Sequence, residues 1–136
     1  MLCCSVVLAD SHYGMLEGMR RIIETEAESV AMVVDEPSLI RAIDKMRPDL
    51  VIADLSFRVS GAANVVRLIK LLHPSIKVIV VSIHEEPTAL NEATDAGAEG
   101  FVLKRRAVVD LIPAIREVRR GGRYVSSDVT CDTLES

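Results

Sequence analysis

Along the chain, five short apolar runs rich in Val and Ile fall at about 4–9, 30–34, 49–53, 76–81 and 99–103. None alternates with polar residues, which is the pattern of strands buried on both faces in a parallel sheet covered by helices. Segments of helical period lie between and after them. Leu16, Met19, Ile22 and Ile23 share one face of the first, and Leu39, Ile40 and Ile43 one face of the second. Val65, Leu68, Ile69 and Leu72 serve the third, and Leu111, Ile112, Ile115 and Val118 the last. The fourth helix is weaker, with Leu90 and Ala93 as its best apolar positions. Pro37 and Pro87 suit first helical turns, Pro48 and Pro74 follow helix ends, and Gly97 lies just past the fourth helix. Strand then helix, five times over, predicts an α/β fold: a doubly wound, five-stranded parallel sheet with helices on both faces, of the flavodoxin-like kind. The expected domain runs over 1–122, and GGRYVSSDVTCDTLES leads into a polar linker or tail over 123–136.

The runs end unusually. VVLAD closes on Asp10, LVIAD on Asp54, VIVVS on Ser82 and FVLK on Lys104. A buried carboxylate without a partner costs several kcal/mol, so two apolar strands ending on acids need an explanation. In a parallel sheet all strands point one way, and their carboxyl ends gather on the edge where open α/β sheets bind ligands. Two carboxylates, a hydroxyl and an ammonium converging there suit phosphoryl transfer to an acid. One Asp attacks phosphorus, a divalent cation offsets charge, and Lys and Ser hold the equatorial oxygens. Asp54, at the end of the central strand, is the better nucleophile candidate.

Composition narrows the partners. The 136 residues are 49% hydrophobic and 26% charged with a net charge of −4, so this segment offers nucleic acid no basic footprint. Cys3, Cys4 and Cys131 lack metal or disulfide spacing, and the apolar start is cut short by Asp10. A reducing, cytoplasmic setting with no membrane span is the expectation. His12, His73 and His84 have no metal spacing and read as ordinary surface or loop residues.

The stretches LADSHYGMLEGMRRII, DLVIADLS, VIVVSIH and DAGAEGFVLKR occur in that order. Together they resemble the CheY-like receiver domain of two-component response regulators over about 4–122, and GGRYVSS resembles the linker start of the NarL/LuxR-type branch. The resemblance implies a phosphoprotein that works as a signalling switch and not as a stand-alone enzyme. Asp54 would accept phosphate from a sensor histidine kinase, assisted by Ser82 and Lys104, and regulate a missing or separate DNA-binding output in transcription. Ser82 and Phe101 would form the switch pair. Mg2+ would bind weakly through Asp10, Asp54 and the backbone carbonyl of Ser56, with Ser11 standing where the family has a second acid. Two further departures are Ile83, where a small residue is usual, and Phe57-Arg58 in the loop after the acceptor, which places a guanidinium near Asp54. The acidic segment 85–99 beside the basic segment 104–123 suggests a homodimer. An atypical receiver, poorly phosphorylated and acting by dimerisation or partner binding, is the first alternative. An Asp-nucleophile phosphohydrolase is more distant, because Ser56 occupies the position of its general acid, and a flavodoxin-like cofactor protein lacks its phosphate loop.

Overall fold

In the computed structural model, residues 4–127 are described. The strands are β1 (Ser5–Ala9), β2 (Ser29–Val33), β3 (Leu50–Asp54), β4 (Lys77–Ser82), β5 (Gly100–Leu103) and β6 (Tyr124–Val125). The helices are α1 (Tyr13–Ile23), α2 (Glu36–Met46), α3 (Val65–Leu72), α4 (Pro87–Ala96) and α5 (Ala107–Arg119). All strands pair in parallel in the order β2-β1-β3-β4-β5-β6. The chain starts in the middle of the sheet, runs to one edge through β2, then crosses back to β3 and proceeds to the other edge. The order therefore reverses between β1 and β3, and a crevice opens outside the carboxyl ends of those strands.

Two apolar layers explain why the runs do not alternate. Val7, Val51, Val78 and Phe101 face α2, α3 and α4, where they meet Leu39, Ile43, Val66, Ile69 and Ala93. Their neighbours Val6, Ile52, Ile79 and Val102 face α1 and α5, against Leu16, Met19, Leu111, Ile115 and Val118. Apart from Ser5 and Lys77, every residue of β1, β3, β4 and β5 is thus buried, stabilising by about 1.5–3 kcal/mol per large side chain. The edge strand β2 departs from the expectation. Only Val33 of it is buried, because among the described residues β1 is its sole neighbour and the sheet's cover thins there.

Helix ends follow local chemistry. Asp35 and Asn64 cap α2 and α3 by accepting from the Ser38 and Arg67 amides, at 2.9 and 3.0 Å. Gly97 ends α4 with φ of 108°, a left-handed conformation that suits glycine. The buried face of α4 is Ala89, Ala93 and Ala96, with Leu90 only partly buried, which is why its apolar signal is faint.

The sheet also gains a sixth strand that the sequence reading had placed in the linker. Tyr124 N–H donates to the Glu99 carbonyl (3.2 Å) and Ser126 N–H to the Phe101 carbonyl (2.9 Å), so residues 124–126 belong to the fold. A two-residue strand has no periodicity to read. The remainder of the expected tail, with Cys131, lies outside the described residues, as does Cys3; Cys4 is buried.

Candidate functional site

The four strand endings meet. Asp10 follows β1 and is wholly buried. Its Oδ1 accepts from the His12 amide at 2.9 Å, with His12 Nδ1 at 3.3 Å, and its Oδ2 accepts from Lys104 Nζ at 2.9 Å. Asp54 ends β3, and its Oδ1 accepts from both the amide and the hydroxyl of Ser56, each at 3.0 Å. Its Oδ2 accepts from the same Lys104 Nζ at 3.0 Å. The ammonium, brought in just after β5, therefore bridges the two acids and offsets the cost of burying them. Burial by itself lowers the Lys104 pKa, but hydrogen bonds and charge from Asp10 and Asp54 outweigh it and leave the ammonium above its ordinary value.

Ser82 ends β4 with 2% of its surface exposed, and its Oγ accepts from the His84 amide at 2.9 Å. Among the described residues it makes no hydrogen bond with the acids, but it shares with Asp54, Ser56, Ile83, Glu92 and Lys104 a cleft of about 600 Å3. His12 and His84 also line this cleft. They are exposed, as the sequence reading expected, yet they stand at the site, and His12 approaches Asp10; their signal was adjacency to Asp10 and Ser82. Phe101 is 2% exposed and packs on the side of α4, apart from the cleft. Register pairs Leu103 of β5 with Ser82 of β4, so Phe101 lies two residues back along the strand that ends beside Ser82.

The departures have defined positions. Ser11 is exposed, with its hydroxyl 3.5 Å from His12 Nδ1. Ile83 is 71% exposed and stands at the cleft without filling it. Phe57 is buried, whereas Arg58 is exposed, and among the described residues it makes no hydrogen bond or ion pair with Asp54. As for magnesium, among the described residues no three His, Cys, Asp or Glu side chains cluster as a metal cage. The ion needs no such cage, because one or two carboxylates with neutral oxygens and waters satisfy it. Asp10, Asp54, the Ser56 carbonyl and Ser11 fit that chemistry with one charge fewer than a triple-acid set.

Comparison with known proteins agrees with this geometry. A family profile described as "Response regulator receiver domain" matches residues 6–116. The chain is 31% identical over 132 residues to the transcriptional regulatory protein DegU of Brevibacillus brevis, covering 96% of this chain and 56% of that protein. It is 30% identical over 132 residues to the transcriptional regulatory protein RcsB of Escherichia coli (strain K12), covering 93% of this chain and 61% of that one. The chain thus spans little more than half the length of these relatives. The isolated receiver domain of RcsB from Salmonella enterica serovar Typhimurium, solved with the phosphomimetic BeF3−, superposes with a TM-score of 0.81 at 27% identity, covering 93% and 95% of the two chains. With a profile match over most of its length and relatives at this level, the chain belongs to the response-regulator receiver family.

Proposed function

We propose that Asp54 is the phosphoacceptor of this receiver, taking its phosphoryl group from the phosphohistidine of a sensor kinase and signalling to a DNA-binding output carried elsewhere. The observation that carries this reading is the buried Asp54 carboxylate at the end of β3, which lines an open cleft with Lys104 while Lys104 bridges it to the wholly buried Asp10. In the transfer, an Asp54 oxygen forms a bond to phosphorus as the phosphorus–nitrogen bond breaks and its electron pair returns to the imidazole. Lys104 gives up one carboxylate partner to meet a phosphoryl oxygen, and Ser82, freed from the His84 amide, offers its hydroxyl to another. Asp10, Asp54, the Ser56 carbonyl and Ser11 would hold a magnesium ion, which would supply charge neutralisation of the phosphoryl oxygens.

The output and dimerisation are inferences from relatives. RcsB has been solved in complex with DNA and as dimers on DNA, and the same arrangement is proposed for the protein to which this domain belongs. No helix among the described residues is long and apolar enough to cross a membrane. A second reading, an atypical receiver of low phosphorylation competence, is favoured by Ser11 and by the ammonium already bonded to one oxygen of each acid. Intact mass after incubation with acetyl phosphate and magnesium separates the two. A phosphoryl adduct that maps to Asp54 and vanishes in Asp54→Asn supports the main reading, whereas no adduct under conditions that label a control receiver overturns it in favour of the second.

A further inference from the structure

Asp110 is a buried carboxylate that phosphoryl transfer does not use. It lies in the first turn of α5 with its side chain 3% exposed. Its Oδ1 accepts from the Tyr124 hydroxyl at 2.7 Å, and its Oδ2 accepts from the Ser126 hydroxyl at 2.7 Å and from Arg106 Nε at 3.0 Å. Burial alone would raise its pKa, but these three partners hold it below the ordinary carboxylate value. The Ser126 hydroxyl, while donating to Asp110, accepts from the Leu103 amide at 3.0 Å. Leu103 is the last residue of β5 and immediately precedes Lys104.

This relay stands where the sheet ladder runs out. Paired residues of β5 and β6 end at Phe101 and Val125, so beyond them a side-chain oxygen takes over as acceptor for the Leu103 amide. A serine hydroxyl has one proton to donate, and here Asp110 takes it, which aims the oxygen's lone pairs back at Leu103. On its other side Leu103 is in register with Ser82. The backbone bearing Lys104 is therefore clamped between Ser82, at the acid–lysine site, and Ser126, on the chain leaving the domain. A displacement at one end must either carry the other along or break a buried hydrogen bond, whose orphaned groups make that route costly.

We propose that the Leu103–Ser126–Asp110 relay couples the acid–lysine site to the segment following α5, so that a change in the bonding of Lys104 alters how residues 124–126 are held. The coupling gives the proposed switch an exit through β6 and rests on that reading only for its biological meaning. It is tested on the full chain by amide hydrogen exchange. Ser126→Ala is expected to speed exchange of the Leu103 amide by about tenfold or more relative to β1 and β3, the scale of one lost net hydrogen bond, and to shift the Lys104 Nζ resonance. Ser126→Thr, which keeps the hydroxyl, restores both. Asp54→Asn, which removes one of the two charges facing Lys104, is expected to change exchange at Val125 and Ser126 by about threefold or more, and to lose that effect when Asp110→Asn is added, the non-additivity of a double-mutant cycle across the relay. Unchanged Leu103 exchange in Ser126→Ala overturns the relay, and unchanged exchange at 124–126 in Asp54→Asn overturns the coupling. Neither readout involves phosphorylation, so failure of the acetyl-phosphate experiment leaves both arms decisive.

Discussion

Lys104 holds one oxygen of each of two acids in place. Ser11 and Ile83 act on the proposed phosphorylation of Asp54 in different ways. A hydroxyl in place of a carboxylate removes one charge facing the metal, a net loss of about 1–3 kcal/mol after desolvation, hence roughly ten- to a hundredfold weaker magnesium binding. Ile83 is 71% exposed beside a roomy cleft, so it restricts approach more than occupancy. Ser11→Asp is therefore expected to tighten magnesium binding by that factor in a titration. Adding Ile83→Ala is expected to speed acetyl-phosphate labelling further without changing magnesium affinity. Tyr124 gives a prediction in pH. Burial, then the hydrogen bond and charge of Asp110, push its phenol up to about 12. A folded-state pKa above the unfolded value of about 10 means stability that is intact below pH 10 and lost as pH rises towards about 12. Denaturant melts of Tyr124→Phe should therefore lack part of the alkaline decline seen in the parent. The strand-end acids were legible in sequence because a carboxylate closing an apolar run is energetically odd. Asp110 was not singled out, since its partners lie 14 and 16 residues away. One signal was present: Ala107, Asp110, Leu111, Ala114, Ile115 and Val118 share the buried stripe of α5, so an acid sat where helical period asks for an apolar residue.

Strong elements were legible and marginal ones were not, for reasons of packing. The central strand β3 is buried along its whole length, and its apolar run announced it. The second run, at the edge of the sheet, looked equally buried in sequence, because composition does not say how many neighbours a strand will have. Helix α4 hides behind alanines that pack closely against the sheet, and β6 is too short to carry a pattern. A close approach of the same kind governs Gly100, at the start of β5. A Cβ there would meet Ile79 Cγ1 at 2.9 Å, with Ile79 Cγ2 and Val118 Cγ2 each at 3.4 Å. Both neighbours are fully buried and β-branched, so neither can swing aside as the tip of a long side chain would. Gly100→Ala is expected to destabilise the domain by about 1–3 kcal/mol as an overpacking change, read as a lower midpoint in urea. Because β5 carries Phe101 and leads into Lys104, the same substitution should also disturb the site, visible as shifted resonances at Lys104.

At the scale of the whole molecule, the charge asymmetry between 85–99 and 104–123 suggested complementary surfaces for a second copy. The fold spends much of that charge within one chain. Of the acids, Glu85 pairs with Arg105 at 3.2 Å, Glu99 pairs with Lys70 at 2.8 Å, and Glu92 accepts from Asn64 at 3.2 Å. Of the bases, Lys104 is held by Asp10 and Asp54, Arg106 by Asp110, and Arg116 by Glu26 at 3.0 Å, while Arg120 reaches Glu117 at 3.6 Å. Charges already paired within the chain gain little from a partner, since exposed ion pairs contribute only about 0–1 kcal/mol each. Apolar surface remains: Val108 and Val109 on α5 are 78% and 58% exposed, and Val125 on β6 is 47% exposed. Self-association of this domain is therefore expected to rest on apolar contact and to be nearly indifferent to salt. Sedimentation across a concentration series should give an association constant that changes by less than about threefold between roughly 0.05 and 0.5 M salt, although the Debye length shrinks about threefold over that range. Val108→Ser with Val109→Ser should weaken it. Association that collapses in high salt and survives the double substitution would instead return the interface to the charged segments.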